Sequence, residues 1–198
     1  MASKLFPTLK ARQRIYRKRH PLRRSALLLA GVALVYGIAS AVLAVTGAVP
    51  LAPIVAGMDV DNYYAWQIVF ILPLVFAVWI LTSGVLLALG TKGCHRSDVL
   101  VAASRAWGRP LLLASVPSAV EAVFAALGMG QSEWVGILSE SGIWQALYIA
   151  VYAAAAAWVV YGFIRAARTI HKRAWPAAIA TGLAASAVAA GAFVLFVR

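Results

Sequence analysis

The sequence predicts an all-α, polytopic membrane protein built as a bundle of five transmembrane helices. Of its 198 residues, 63% are hydrophobic and only 12% are charged, which is about half the charged share of an ordinary soluble domain. Runs of roughly 20 apolar residues recur, and each is long enough to cross the roughly 30 Å hydrocarbon core of a bilayer. A soluble domain of this length could not bury so much apolar surface.

The chain divides into a basic tail at residues 1–24 and a transmembrane domain at residues 25–198. Pro110 and Pro176 suit the first turn of a helix, where a missing N–H costs no hydrogen bond, and they place the starts of the third and fifth spans. The five predicted spans cover residues 25–49, 65–90, 110–128, 143–164 and 176–197.

A short amphipathic helix is predicted on the membrane surface just before the third span. Ser97 is its expected N-cap, Asp98 lies in its first turn, and Trp107 belongs to its apolar stripe. This helix is expected to end before Pro110, so that the surface helix and the span are separate elements.

The distribution of basic residues predicts the orientation. The tail carries nine Lys or Arg residues, and the connections 91–109 and 165–175 carry four each, whereas the connections 50–64 and 129–142 carry none. This alternation follows the positive-inside rule, so the N-terminus is predicted inside and the C-terminus outside a cell membrane. Because the charges lie between apolar runs, orientation accounts for the net charge of +12, and no nucleic-acid partner is predicted.

The basic inner segments also predict contact with anionic lipid or an acidic partner. Each basic residue near an anionic surface contributes about 1 kcal/mol. The stretch 8–19 suits a short basic helix lying on that surface, and the alternative is a solvated tail that only fixes the topology. The residues predicted to face lipid or a partner are Arg12, Arg14, Arg17, Lys18, Arg19, Arg23, Arg24, Arg165, Arg168, Lys172 and Arg173.

Glu121 is the only ionisable acid or base predicted inside the hydrocarbon. Counted from Pro110 it lies roughly 16–18 Å into its span, near the bilayer centre, where an ionised carboxylate is costly, so we expect it to be protonated. Pro117 shares its helix face and removes a backbone bond. Glu121 is either a proton or cation site, or a neutral acid that hydrogen-bonds a neighbouring helix. Its predicted partners are Tyr36, Ser40, Tyr148 and Tyr152. The candidate midplane site comprises Glu121, Pro117, Tyr148 and Tyr152.

No pattern in the chain predicts catalysis, a metal or a cofactor. None of the motifs HExxH, GxSxG, GxGxxG or the phosphate-binding loop is present. His20, His95 and His171 all fall in basic connections, so no pair of histidines inside the spans can hold a haem. Cys94 is the single cysteine, and with His95 it makes only a weak metal pattern, better interpreted as a solvated loop. The protein is predicted not to be an enzyme.

Small residues recur at four-residue spacing on three spans, where they let helix backbones approach closely. They serve either packing within one molecule or docking of a second copy or a partner subunit. These faces are Ala33, Gly37 and Ala41 on the first span, Ala153–Ala157 on the fourth, and Gly182, Ser186 and Ala190 on the fifth.

The segment SDVLVAASRAWGRPLLLASVP at residues 97–117 resembles the central signature of prokaryotic members of the YIP1 (Yip1-domain) family. Trp107 stands where the family usually has tyrosine, and Pro110 and Pro117 match its prolines. Residues 143–182 resemble the family's tryptophan-led span, basic turn and Ala/Gly-rich last helix. The resemblance covers about residues 65–190 and implies an integral membrane protein with five spans and an inner N-terminus.

The eukaryotic members carry an acidic-aromatic-glycine-proline motif before the first span, which this chain lacks. Their roles in vesicle traffic and Rab-GTPase binding are therefore not carried over. The predicted function is that of a non-enzymatic membrane scaffold or organising factor. The alternatives are a small transporter or channel that uses Glu121 with Pro73 and Pro117, and an accessory subunit of a larger membrane complex.

Overall fold

The fold is described from a computed structural model, in which residues 21–50, 60–90 and 94–196 are described. These residues form six α-helices and a short 3-10 turn at Val60–Asn62, and they contain no β-strand. The helices are α1 (Pro21–Val45), α2 (Tyr63–Ala88), α3 (Arg96–Ala126), α4 (Gln131–Ser139), α5 (Ile143–His171) and α6 (Trp175–Phe196).

Every helix except α4 is long and apolar enough to cross a membrane. This confirms the prediction of an all-α, multi-pass chain with five membrane-spanning helices. The predicted lipid-facing residues of the tail, Arg12, Arg14, Arg17, Lys18 and Arg19, lie outside the described residues.

The five long helices close into a ring. Going round it, α1 packs on α3, α3 on α5, α5 on α6, α6 on α2, and α2 on α1, while α3 also contacts α2. The interior is filled mainly by aliphatic side chains, with Tyr36, Trp79, Trp107 and Phe163 among them, because long apolar helices pack best when small and branched side chains interdigitate. The largest fully buried apolar side chains are Leu29, Leu86, Val32, Val75, Val78, Val99 and Phe163.

The ring has two chemically distinct ends. The basic end is the one at which α1, α3 and α6 begin and α2 and α5 finish. At the acidic end α2 and α5 begin, α1 and α3 finish, and α4 follows α3. A contact between Gly90 and His171 joins the finishing ends of α2 and α5, and a contact between Tyr64 and Glu121 joins the start of α2 to the finish of α3.

The predicted surface helix and third span are a single helix, so their separation is wrong. Helix α3 runs without a break for 31 residues through Pro110 and Pro117, and its N-cap is His95 and not Ser97. Proline is tolerated inside a packed membrane helix because its neighbours hold the backbone in place. Here Gly108 packs against the side chains of Leu28 and Leu29 on α1.

The two connections beside α5 also contain more helix than the sequence predicts. The connection 129–142 contains α4, which stacks on the end of α3 and the start of α5. Helix α5 continues seven residues beyond its predicted end at 164 and finishes at His171. Lys172 then takes a left-handed conformation with φ 49°, and this turns the chain directly into α6.

Close backbone packing accounts for part of the small-residue pattern. A methyl group on Gly182 of α6 would lie 2.6 Å from the Cα of Ile164 on α5, and one on Gly162 would lie 3.0 Å from the Cα of Ala106 on α3. Such approaches are possible only for glycine. The run Ala153–Ala157 behaves differently, because within it only Ala155 is buried.

Candidate functional site

Glu121 lies close to the acidic end of the bundle. It stands five residues before Ala126, the last residue of α3, which is about 8 Å from that end and about 38 Å from Arg96 at the start. Its carboxylate Oε1 accepts a hydrogen bond from the hydroxyl of Tyr64, at 3.5 Å. Pro110 does not begin the helix, and the midplane position that was counted from it stays a prediction.

Glu121 forms part of a pocket of about 270 Å³ between α1, α3 and α4. The pocket is walled by the ends of α1 and α3, by the start of α4, and by the side chains of Phe124, Gln131 and Trp134. Gln131 Oε1 accepts a hydrogen bond from the backbone N–H of Val49, which ties the chain after α1 to α4 and closes one side of the pocket.

Two helix C-termini converge on this pocket. Gly47 after α1 and Gly128 after α3 both have positive φ, at 69° and 91°. The following residues close each helix, with Ala48 N–H donating to Leu43 O at 2.9 Å and Met129 N–H donating to Phe124 O at 3.0 Å. This is the Schellman cap, which requires a left-handed residue and therefore favours glycine. A helix C-terminus carries about half a negative charge, so both ends make the pocket more negative.

Three aromatic rings pack together at this end of the bundle, one from each of α3, α4 and α5. The ring centroids are 5.2 Å apart for Phe124 and Trp134, 5.8 Å for Phe124 and Trp144, and 6.3 Å for Trp134 and Trp144. Trp134 is only 5% exposed, and its buried indole Nε1 has no hydrogen-bond partner among the described residues. Phe124 and Trp134 both line the pocket.

The structure does not gather the whole predicted candidate site in one place. Pro117 is buried one helical turn before Glu121. Tyr148 and Tyr152 stack edge to face at 5.0 Å, but neither lines the Glu121 pocket. Tyr152 instead borders a larger apolar groove of about 500 Å³ between α3, α5 and α6. Tyr64 is a partner of Glu121 that the sequence did not predict, because the pairing depends on which helix ends lie side by side.

The basic end concentrates positive charge. All nine described Lys and Arg residues lie in the half of the bundle nearer this end, and seven of them are exposed. They belong to α1, α3, α5 and the turn between α5 and α6. These residues are Arg23, Arg24, Arg96, Arg105, Arg109, Arg165, Arg168, Lys172 and Arg173.

Two of these cations also hold the turn between α5 and α6. The guanidinium of Arg168 lies over the Trp175 ring, 3.7 Å from its centroid, as expected for a cation–π contact. Arg173 Nη1 donates to Thr181 Oγ1 at 2.9 Å.

The described acids are distributed in the opposite way, since Asp61, Glu121, Glu133 and Glu140 lie at the acidic end and only Asp98 lies at the basic end.

A cysteine–histidine contact at the basic end was not foreseen from the sequence. Cys94 Sγ lies 3.1 Å from His171 Nδ1 and 3.4 Å from the carbonyl oxygen of Ile170. The sequence neighbour His95 is exposed, whereas His171 is only 3% exposed. Among the described residues no group of three or more His, Cys, Asp or Glu side chains is arranged to hold a metal ion. The Cys94–His171 pair by itself therefore has too few ligands to bind one.

No protein-family model matches the chain, and no curated protein or solved structure matches it either. The resemblance to the YIP1 family accordingly stays a prediction based on residues 65–190.

Proposed function

We propose that this protein is a non-enzymatic membrane scaffold whose basic end lies on the inner surface of the cell membrane and gathers anionic lipid there. The observation that carries the proposal is the separation of charge: all nine described cations lie in the basic half, and four of the five described acids lie at the opposite end. The positive-inside rule assigns the basic end to the inner side, which is the orientation predicted from the whole sequence.

The arrangement of the cations suits lipid phosphates better than a single small anion. Exposed basic residues come from three helices, with Arg24 on α1, Arg105 on α3 and Arg165 on α5. Each such residue contributes about 1 kcal/mol near an anionic surface. Because Arg168 and Arg173 are held by Trp175 and Thr181, part of this charge is fixed in position and loses little side-chain entropy when lipid binds.

The test is a measurement of lipid selectivity on the full chain reconstituted in phosphatidylcholine bilayers that contain phosphatidylglycerol. We expect spin-labelled phosphatidylglycerol to be enriched around the protein, and the enrichment to fall at high salt as screening shortens the range of the charges. The double variant Arg165→Gln and Lys172→Gln removes two exposed charges that make few contacts. It should weaken the preference by about fivefold for each charge.

The matched control is the double variant Glu133→Gln and Glu140→Gln, which changes two exposed charges at the acidic end. It should leave the selectivity for phosphatidylglycerol unchanged. If wild-type protein shows no preference for phosphatidylglycerol, or if both double variants behave alike, the lipid-gathering role is refuted.

A second candidate, docking of a partner membrane subunit, is favoured by the alanine run of α5. Ala153, Ala154, Ala156 and Ala157 are exposed, and α5 is the least buried of the five long helices. A stripe of small residues allows close approach by another helix. Purification from native membranes should then yield a stoichiometric partner that is lost from Ala154→Leu, whereas recovery of the lone chain would count against docking.

Transport through Glu121 draws no comparable support. Broken-helix transporters build their substrate sites at interrupted helices, whereas α3 runs without a break through Pro117, and Glu121 lies about 8 Å from its end.

A further inference from the structure

We propose that the pocket around Glu121 binds an organic ammonium group, with the Glu121 carboxylate as its counter-ion and the rings of Phe124 and Trp134 as its aromatic wall. This site is at the acidic end, opposite the surface proposed to gather lipid phosphates, and it rests on different residues.

The sign of the ligand charge follows from the local electrostatics. Glu121 contributes a carboxylate, and the C-termini of α1 and α3 each contribute about half a negative charge, which the positive starts of α2 and α4 largely offset. None of the described Lys or Arg residues lies at this end, whereas Asp61, Glu133 and Glu140 do. The pocket therefore sits in a negative potential that attracts cations.

Glu121 is accessible from the pocket. It is only half-buried, it lies about 8 Å from the end of α3, and it lines the pocket directly. Tyr64 donates a long hydrogen bond to one carboxylate oxygen, and that contact is itself more favourable when the acceptor is charged.

The walls of the pocket decide between an organic cation and a metal ion. A hard metal ion such as Ca²⁺ takes six to eight oxygen ligands, whereas the pocket has one carboxylate, and Leu43, Phe124 and Trp134 add apolar side chains to its wall. Aromatic faces attract alkylammonium groups through their quadrupole. The cavity of about 270 Å³ is at the small end of ligand pockets, which suits an amine head and not a drug-sized molecule.

The size and charge of the pocket suit small amines. Ethanolamine and choline are ammonium ligands small enough for a cavity of about 270 Å³, either as free molecules or as lipid headgroups.

The experiment measures binding to the full chain in phosphatidylglycerol nanodiscs, titrated with ethanolamine or choline at constant ionic strength. We expect saturable binding of both, detected by calorimetry and by a rise in unfolding temperature, while sodium chloride gives neither. Glu121→Gln keeps the size of the side chain and should weaken binding at least about tenfold, because it removes a charge-assisted contact. Glu133→Gln, an exposed acid at the same end, should bind as wild type does.

The aromatic wall has its own pair of variants. Trp134→Phe retains a ring and should keep most of the affinity, whereas Trp134→Leu should lose it. Phosphatidylethanolamine nanodiscs distinguish the two sources of the amine. If the lipid headgroup fills the pocket, free ethanolamine should bind more weakly in phosphatidylethanolamine nanodiscs than in phosphatidylglycerol nanodiscs. If the free amine is the ligand, ethanolamine should bind equally in both. Either result supports an ammonium site.

The proposal is overturned if neither amine binds saturably in phosphatidylglycerol. It is also overturned if Glu121→Gln, with an unfolding temperature like that of wild type, binds both amines with unchanged affinity.

Discussion

The backbone of Gly90 is pressed against the imidazole ring of His171, and this contact joins the finishing end of α2 to that of α5. A methyl group on Gly90 would lie 2.5 Å from His171 Nδ1 and 2.6 Å from the carbonyl oxygen of Leu86. The same Nδ1 is in contact with the Cys94 thiol. The imidazole therefore packs between the end of α2 and the start of the chain that leads into α3.

Gly90→Ala should destabilise the bundle by about 1–3 kcal/mol, since an added methyl group must displace a buried ring or a backbone carbonyl. Thermal unfolding in detergent, followed by circular dichroism, measures the change. Gly84→Ala is the matched control on the same helix, because a methyl group there meets nothing within 4 Å. Its unfolding temperature should equal or slightly exceed that of wild type. Equal behaviour of the two variants would contradict the contact.

Gly182→Ala should separate α5 from α6, because the added methyl group would lie 2.6 Å from both the Cα and the backbone nitrogen of Ile164. Backbone atoms cannot move aside as a flexible side chain can, so we expect a loss of roughly 2–3 kcal/mol or failure to fold. Gly191→Ala on the same helix has open space around it and should be neutral. Denaturant titration of the two variants in parallel provides the comparison.

Ser40→Ala should weaken the packing of α1 on α2. Ser40 Oγ lies 2.7 Å from Gln67 Oε1 across the helix interface and 2.8 Å from Tyr36 O in its own helix, and its single proton can be donated to only one of them at a time. Interhelical hydrogen bonds of this kind contribute roughly 0.6–1.7 kcal/mol in membrane proteins.

The control for that substitution is Ser25→Ala, whose hydroxyl is also buried and, within the described part of the chain, bonds the carbonyl of Pro21 in its own helix. It should change stability by less than Ser40→Ala in the same unfolding assay. The reverse order would show that the bond to Gln67 adds nothing to the α1–α2 interface.

Arg168→Lys should loosen the turn between α5 and α6 although the charge is kept. The planar guanidinium stacks on Trp175, and an ammonium on a flexible stem does not reproduce that stacking. We expect a loss of about 0.5–1 kcal/mol, typical of a cation–π contact at a partly exposed site. Arg165→Lys, at an exposed position with only a 3.5 Å contact to Tyr161, should cost less. Faster proteolysis near Lys172, without an equal loss of global stability, would show that the effect is confined to this turn.

Much of the architecture was predictable because it depends on composition and order along the chain. Apolar length predicts a membrane-spanning helix wherever it occurs, so the five long helices follow from the sequence. Turn and boundary details did not follow, because Pro110 looks like a helix start when only local preferences are considered. In the folded protein, α3 continues past Pro110, and Gly108 beside it packs against Leu28 and Leu29 of α1.

The order of residues along the chain is enough to predict five long apolar helices with the basic residues between alternate spans, since hydrocarbon thickness and charge cost act on each segment separately. The contacts of Glu121 and Cys94, in contrast, depend on how the helices pack. Glu121 contacts Tyr64 and shares a pocket with Phe124 and Trp134, because the fold brings the start of α2 and the start of α4 to the end of α3. Cys94 meets His171 and not its neighbour His95, because the ring of helices brings together chain segments 77 residues apart, a proximity that no local pattern encodes.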